Sequence, residues 1–178
     1  MANVKLTDKT ALAEQTGSGD LYMVVDVNDT TGSSAGTSKK IDSKFVIQTD
    51  KISISNAEVL DLDANEKTLI GALSGYMITI YNVTVLCTYA AATENQRKDL
   101  LFGFEDTSDS VYWGKVTDCM DGITTDATYV VPPETPRSSG TCSTSILNKP
   151  FVCWAETTGF AGGWSADVYV TYAYTKVL

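Results

Sequence analysis

Hydrophobic and polar residues alternate most regularly in two long stretches, residues 76–89 and residues 165–178. β-Branched and aromatic residues dominate both stretches, and this alternation predicts β-strands. In the second stretch one set of side chains suits a core, and the other set is semi-polar and aromatic. The first set is Ala166, Val168, Val170, Tyr172 and Tyr174, and the second is Asp167, Tyr169, Thr171, Ala173 and Thr175. Because tyrosine is enriched at interfaces, we expect Tyr169, Thr171 and Ala173 to face a subunit boundary or a second sheet.

The first stretch is apolar on both of the faces that strict alternation gives it. One face carries Tyr76, Ile78, Ile80 and Leu86, and the other carries Met77, Tyr81, Val83, Val85 and Cys87. Apolar residues on both faces are typical of a strand that is covered on both sides. We therefore expect protein to cover both sides of this strand.

Shorter strands are predicted at close intervals, with turns at residues 118–122 and 159–163. These strands are residues 67–70, 100–104, 110–116, 127–131, 143–147 and 151–158. Ser55 and Glu58 have the spacing of a capping box, which predicts a helix of one or two turns within residues 56–62. The spacing of the strands is typical of an antiparallel β-sandwich or jelly roll. We predict an all-β body domain over residues 49–178.

The N-terminal residues 1–48 have a different organisation. A strand-forming run at residues 21–27 is followed by Asn, Asp, Thr, Gly and Ser residues, and a second extended run begins at Ser38. Asx, Ser and Gly residues end strands because they favour turns. This segment holds too few large apolar residues for a core of its own. We predict a strand-loop-strand module that needs a partner surface.

Charge and composition exclude several classes of function. The 178 residues suit about one domain with room for a small module. The net charge of −9 comes from 22 acidic and 13 basic residues, and the basic residues are scattered, so nucleic acid is a poor partner. No apolar run approaches the roughly 18 to 20 residues that span a bilayer, so no membrane insertion is expected. Residues 1–15 lack the apolar stretch of a signal peptide, which indicates synthesis in a cytoplasm.

The sequence nominates no catalytic or metal site. There is no histidine, which removes the commonest general base and the commonest transition-metal ligand. The run from Asp61 to Asn65 resembles half of a calcium loop, but Glu66 stands where the sharp turn needs glycine, and Ala72 replaces the bidentate Glu. A pair of carboxylates for glycoside hydrolysis stays open, although no pair is favoured. We expect a protein with no cofactor and no enzymatic activity.

Tryptophan and cysteine leave alternatives open. Trp113, Trp154 and Trp164 can line a carbohydrate-binding surface, although aromatic residues within strands more often belong to a core or a subunit interface. The four cysteines include no CxxC pair, and Cys87 and Cys153 lie in strand-like runs. In a cytosolic protein we expect reduced cysteines that are buried as small hydrophobic residues.

Two segments carry a family resemblance. Residues 6–41 contain TDKTAL, GDL, VDVNDT and AGTSKKI in this order, and an N-terminal module of many phage tail-fibre and head-fibre proteins has TDLTAL, GDLL, VDVSDT and AGTTKKI. Residues 54–60, 67–70 and 167–172 resemble a small all-β phage domain that begins ISSAEIL and ends in a V.V.Y strand. This chain departs from that domain at residues 71–75, where PAPGAG is usual, and in its insertion at residues 132–140.

The resemblance implies a structural component of a bacteriophage particle that is displayed as a homotrimer. Its N-terminal module would attach to other virion proteins of the capsid, portal or tail. The residues expected to make that attachment are Leu21, Met23, Val25, Asp26, Asp29, Lys40 and Ile41. The short chain suits a head fibre or decoration protein on the capsid surface, such as those of crAss-like phages, made in the host bacterial cytoplasm. The alternative is a tail-associated or host-surface adsorption protein that binds glycan through Trp113, Trp154 or Trp164.

Overall fold

The computed structural model describes residues 21–26, 28, 31–32, 37–42, 45–95, 97–104, 112–133, 146–156 and 158–176. The chain divides into two compact units, Met1–Val46 and Ile47–Leu178. No helix in the described part of the chain is long and apolar enough to cross a membrane.

The first unit contains a two-stranded antiparallel sheet. Strand β1 (Leu21–Asp26) pairs with β2 (Thr37–Asp42). Leu21 lies opposite Asp42, and Asp26 lies opposite Thr37. The two predicted strands are confirmed. The polar residues between the strands are described only at positions 28 and 31–32.

The second unit is a sandwich of two four-stranded antiparallel sheets. Its strands are β3 (Gln48–Ile54), β4 (Lys67–Ile70), β5 (Tyr76–Tyr89), β6 (Leu100–Phe104), β7 (Tyr112–Val116), β8 (Ala127–Val131), β9 (Phe151–Ala155) and β10 (Trp164–Lys176). The first sheet has the order β3-β10-β5-β8, and the second has the order β4-β9-β6-β7. Buried side chains from both sheets, such as Val83, Val168, Phe102 and Phe151, form one core. The predicted all-β class is confirmed.

The order of the strands is that of a jelly roll. The first strand of this unit pairs with the last, β3 with β10, and the pairs β4 with β9, β5 with β8 and β6 with β7 lie within that pair. The nested pairs are those of one long hairpin that has been rolled up, and the remaining contacts β10 to β5 and β6 to β9 close it into two sheets. Eight strands in two such sheets define the jelly-roll architecture.

A bulge in β5 overturns the predicted faces of that strand. Thr171 of β10 lies opposite Asn82, whereas Tyr172 lies opposite Ile80, so Tyr81 is an extra residue in β5. An extra residue reverses the phase of alternation. Ile78 and Val83 therefore both face the core, and the prediction that Ile78 shares a face with Leu86 is wrong.

The second unit by itself also does not cover β5 on both sides. Leu86 is 39% exposed, and Tyr81 in the bulge is 52% exposed. The inner face of the strand carries the buried Val83, Val85 and Cys87 instead. One side of β5 therefore belongs to the core, and the other is an outer surface of the second unit.

The short helix confirms the capping box. Helix α1 (Asn56–Val59) begins after Ser55, whose hydroxyl accepts the Glu58 N–H at 3.3 Å, while the Ser55 N–H donates to the Glu58 carboxylate at 2.8 Å. The helix is shorter than the predicted range 56–62, because a turn replaces it after Val59.

Two predicted strands differ from the observed ones. Phe151–Ala155 ends three residues before the predicted strand 151–158 does. In the predicted strand 143–147, Ile146 and Leu147 lie in a bend and turn, and the other three residues lie outside the described part. The cysteine prediction is confirmed for Cys87, Cys119 and Cys153, which are buried and free of disulfides, whereas Cys142 is outside the described residues.

Candidate functional site

The outer face of the β3-β10-β5-β8 sheet is the first candidate site. We define it by the outward residues of the four strands. They are Thr49, Lys51 and Ser53 of β3, Asp167, Tyr169 and Thr171 of β10, Asn82, Thr84 and Leu86 of β5, and Thr128 and Val130 of β8. Tyr169 lies opposite both Lys51 and Thr84, and Thr84 lies opposite Val130. These four residues form one row across the sheet.

Polar side chains on the outer face are held in place by contacts between neighbouring strands. The Lys51 Nζ lies 2.8 Å from the Asp167 carboxylate, and the Ser53 hydroxyl donates to the same carboxylate at 2.6 Å. The Thr49 and Thr171 hydroxyls are 2.8 Å apart. The hydrogen bond from Lys51, and then that from Ser53, lower the pKa of Asp167 below its ordinary value. Asp167 therefore stays ionised and paired at neutral pH.

Apolar side chains lie beside these polar pairs on the same face. Val130 is 69% exposed and Leu86 is 39% exposed, and they occupy adjacent rows on neighbouring strands. Exposed aliphatic residues that lie together on a sheet, rimmed by polar groups, are typical of an interaction surface. Of the residues predicted to face a subunit boundary or a second sheet, Tyr169 and Thr171 lie on this face, and Ala173 is buried at 8% exposure. Leu86 and Val130 were missed.

The signals for these two missed residues differ. Leu86 was placed on the same face of β5 as Ile78 and Ile80. The bulge at Tyr81 reverses the alternation between them, so these residues lie on opposite faces. Val130 and Thr128 alternate along a five-residue strand with Ala127, Tyr129 and Val131, which contact the core. The outward position of Val130 therefore follows from the alternation once the strand and its core-facing side are known.

The three tryptophans have different surroundings. Trp164 is only 1% exposed and packs edge-on against Phe160, with ring centroids 5.1 Å apart, so a ligand at the surface cannot stack on it. Trp113 is half-buried and packs edge-on against Phe151 at 6.0 Å. Trp154, also half-buried, lines an open cleft. The structure does not bring the three rings together into one surface.

The cleft at Trp154 is the second candidate site. It has a volume of about 560 Å³ and is lined by Leu62, Asp63, Ala64, Asn65, Glu66, Phe104 and Trp154. The loop between α1 and β4 supplies five of these residues. The loop lies beside β9 because the Ala155 N–H donates to the Leu62 carbonyl at 3.0 Å. Three polar side chains, Asp63, Asn65 and Glu66, thus reach the same cleft as an indole ring.

Buried carboxyl groups elsewhere hold loops and strand ends together. Glu94 is fully buried and its carboxylate accepts the Ala161 N–H at 2.7 Å. Asp99 accepts hydrogen bonds from Lys115 Nζ at 2.6 Å and from the Asp118 N–H at 3.0 Å. Among the residues that the structure describes, no group of three or more Cys, Asp or Glu side chains is arranged to hold a metal ion.

The predicted attachment residues belong to the first unit. Leu21, Met23, Val25 and Asp26 lie in β1, and Lys40 and Ile41 lie in β2. Met23 and Lys40 are opposite each other in the register. Asp29 lies outside the described residues. The role of these residues in attachment stays a prediction.

Comparison with known proteins gives no family assignment. No protein-family model matches the chain, and no curated protein matches it. Among solved structures, it is similar to a chain of the native virion of Kashmir bee virus at acidic pH, with 11% identity, 95% of each chain covered and a TM-score of 0.32. It is also similar to a chain of an expanded equine rhinitis A virus particle, with 9% identity and a TM-score of 0.29. The match covers 99% of this chain and 88% of that chain. A third similar structure is that of Israel acute paralysis virus, with 11% identity and a TM-score of 0.30. The match covers 95% of this chain and 97% of that chain. TM-scores this low support no conclusion about the fold or function of this chain.

Proposed function

We propose that this protein is a non-enzymatic structural protein of a bacteriophage particle. In this proposal it is a homotrimeric head fibre or capsid decoration protein on the capsid surface. The observation that carries the proposal is the outer face, where Val130, Leu86 and Tyr169 lie beside ordered polar pairs. A partner that covers this face would remove apolar surface from water, which is the main favourable contribution to association.

The polar part of the outer face gives such an interface its specificity. The Lys51 and Asp167 pair presents one positive and one negative group beside Tyr169. Charged and polar groups around an apolar centre fix the orientation of partners more than they add affinity. Apolar side chains beside charged and hydrogen-bonding groups are common at protein interfaces.

Two further observations support a virion role. Jelly rolls occur in viral capsid domains, although this is an analogy of fold and the function must be argued from the site. The similarity of residues 6–41 to the phage attachment module supplies the other. On this proposal residues 1–48 bind another virion protein, and residues 49–178 form the displayed body.

The oligomeric state tests the trimer. For the purified protein at micromolar concentration, mass photometry and light scattering are expected to give the mass of three chains. Tyr169→Asp places a charge on the central strand β10, Val130→Asp places one on the edge strand β8, and both are expected to give monomers. The matched control is Thr68→Asp, which also adds a carboxylate to an exposed strand position but lies on the other sheet. A monomeric wild type, or a trimeric Tyr169→Asp, would contradict the proposal.

Particle incorporation tests the attachment module. A chain that lacks residues 1–46 is expected to keep the circular dichroism and thermal unfolding of a folded β protein, because the second unit has its own core. That chain is expected to be missing from purified particles. Incorporation of the truncated chain at full occupancy would refute the role of the module.

The second candidate function is adsorption to a host-surface glycan. The cleft at Trp154 favours it, because an aromatic ring and three polar side chains share one open cavity. In this case the protein would bind a saccharide on the cell surface while it is held on the particle. Loss of the protein from the particle is then expected to slow adsorption, and unchanged adsorption would count against this function.

A further inference from the structure

We propose that the cleft at Trp154 is a binding site for neutral saccharides and that Asp63 and Glu66 exclude acidic ones. The inference rests on the second candidate function, adsorption, and is independent of the trimer. It assigns a position, a class of ligand and a basis for selectivity.

The apolar part of the site is the indole of Trp154. Trp154 is half-buried in β9, so the strand fixes its position while part of the ring stays accessible. The C–H face of a pyranose ring is apolar and flat enough to pack against an aromatic ring, and burial of both surfaces is favourable. The indole N–H adds a donor at its edge.

The polar part of the site is the loop that precedes β4. The carboxylates of Asp63 and Glu66 accept hydrogen bonds from hydroxyl groups, and the amide of Asn65 can both donate and accept. Hydrogen bonds to an ionised carboxylate are the stronger kind. The Asn65 amide is oriented by a bond of 2.8 Å to the Asp61 carboxylate. Neighbouring hydroxyls on one sugar ring suit this set of acceptors and donors.

The loop is held in position by its neighbours, which reduces the cost of binding. Leu62 is 1% exposed and anchors the loop in the core. The 158–160 segment also packs closely on the loop, since a Cβ at Gly159 would lie 2.9 Å from the Asp63 Oδ1 and 3.1 Å from the Leu60 carbonyl oxygen. A larger residue at position 159 would push the Asp63 side chain aside. A site that is ordered before binding loses less conformational entropy when the ligand arrives.

Charge determines which saccharides fit. Asp63 and Glu66 are both exposed acidic side chains, and the seven lining residues include no Lys or Arg. The whole chain carries a net charge of −9, so a uronic acid or a phosphorylated sugar is repelled at the cleft and at longer range. The ligand class is therefore a neutral hexose or N-acetylhexosamine.

The open shape of the cleft predicts weak binding to one copy. Its volume lies within the about 300–1,000 Å³ of small-ligand sites, but an open cleft buries less of its ligand than an enclosed one. We expect a Kd of about 1 mM for one site. Display of many copies on one particle would then raise the overall affinity through multivalent contact.

Intrinsic fluorescence and calorimetry of the full chain test the site. The probes are trimers of galactose, mannose and N-acetylglucosamine, with a galacturonic acid trimer as the acidic counterpart of the galactose trimer. At least one neutral trimer is expected to change tryptophan fluorescence at concentrations up to about 10 mM, roughly ten times the expected Kd. The galacturonic acid trimer is expected to give no change.

Four variants locate the effect. Trp154→Ala is expected to weaken binding at least about tenfold. Trp154→Phe is expected to bind without the fluorescence change, because the remaining tryptophans lie outside the cleft. The double variant Asp63→Asn with Glu66→Gln keeps the hydrogen-bonding groups and is expected to admit the galacturonic acid trimer. Tyr81→Ala, which removes an aromatic ring 52% exposed on the other sheet, is expected to bind as the wild type does.

The results separate this inference from the oligomer. Mass photometry on the same samples reads the number of subunits, and thermal unfolding identifies any variant that does not fold. If Trp154→Ala does not fold, the double variant on the exposed loop decides. If the protein is a homotrimer but binds none of the neutral saccharides, the inference is overturned and the proposed oligomeric state still holds. Wild-type binding by folded Trp154→Ala, or equal binding of acidic and neutral trimers, also overturns it.

Discussion

Lys115 Nζ lies 2.6 Å from Asp99 Oδ2, and this pair joins β7 to the residue before β6. The Asp99 side chain is 8% exposed and that of Lys115 is 26% exposed. Removal of Lys115 takes the cation away from the buried Asp99 carboxylate, which keeps the hydrogen bond from the Asp118 N–H. We expect Lys115→Met to lower the free energy of unfolding by about 3 kcal/mol, measured by urea denaturation. Lys115→Arg keeps the charge and serves as the control.

The double variant Asp99→Asn with Lys115→Met removes both charges. It is expected to recover part of the loss, because the uncompensated carboxylate is gone. If the double variant unfolds at a lower urea concentration than Lys115→Met, the uncompensated carboxylate is not what destabilises the single variant.

Deletion of Tyr81 is expected to be tolerated. Without the extra residue, regular alternation runs from Ile78 through Val83 to Cys87, and every inward residue keeps its side of the sheet. Deletion of Thr84 is the matched control, because it would turn Val85 and Cys87 outward, and we expect that chain not to fold. Circular dichroism and urea denaturation compare the two, and equal loss of structure would contradict the role assigned to the bulge.

Glu58 is expected to make stability fall in acid. The hydrogen bond from Lys67, followed by those from Ser55, holds the pKa of Glu58 at about 2, below its ordinary 4.5. The stabilisation is therefore complete above about pH 4.5 and is lost as the pH falls through about 2. The carboxylate side chain is 41% exposed, so water screens the interaction, and we expect at most about 1 kcal/mol.

The measurement for Glu58 is urea denaturation at pH 5 and at pH 2.5. The wild type is expected to lose more stability between these conditions than Glu58→Gln, which has no carboxylate to protonate. An identical loss in both chains would show that this residue does not contribute to the acid dependence.

The buried thiols are expected to resist modification. Burial raises the pKa of the Cys153 thiol far above its ordinary value, and Cys119 is also raised, through its hydrogen bond with Cys87 and through burial. Only the thiolate reacts with disulfide reagents. In the folded Cys142→Ser variant, no thiol is expected to react rapidly with a disulfide reagent. In urea, all three remaining thiols are expected to react. Rapid labelling of the folded variant would contradict the buried state of the other three cysteines.

Local patterns were predictable from the sequence, and pairing was not. The capping box at Ser55 and Glu58 depends on residues three apart and was predicted correctly. The jelly roll depends on which distant strands become neighbours, and alternation contains no information about that choice. The bulge at Tyr81 is an irregularity in the backbone, and a strict two-residue period cannot detect it.

The tryptophans show where the alternation of inward and outward residues along a strand predicts burial and where it does not. Trp164 is in phase with Ala166, Val168 and Val170, so its burial was readable from the alternation in β10. Trp154 stands in a five-residue apolar run, where all residues look alike and the phase is ambiguous. Its position in a cleft depends on the loop at residues 62–66, which is remote in sequence. The candidate saccharide site therefore required the structure.

The nested pairing of the strands also sets the order in which the chain can fold. Asp99 and Lys115, which join the innermost strands, are 16 residues apart, whereas Thr49 and Thr171 of the outermost pair are 122 residues apart. Contacts between distant residues slow folding. At a synthesis rate of about 5–20 residues per second, β3 leaves the ribosome several seconds before β10 exists. During that interval one edge of β3 lacks its final neighbour, and this is the period in which the nascent chain is most exposed to wrong pairing.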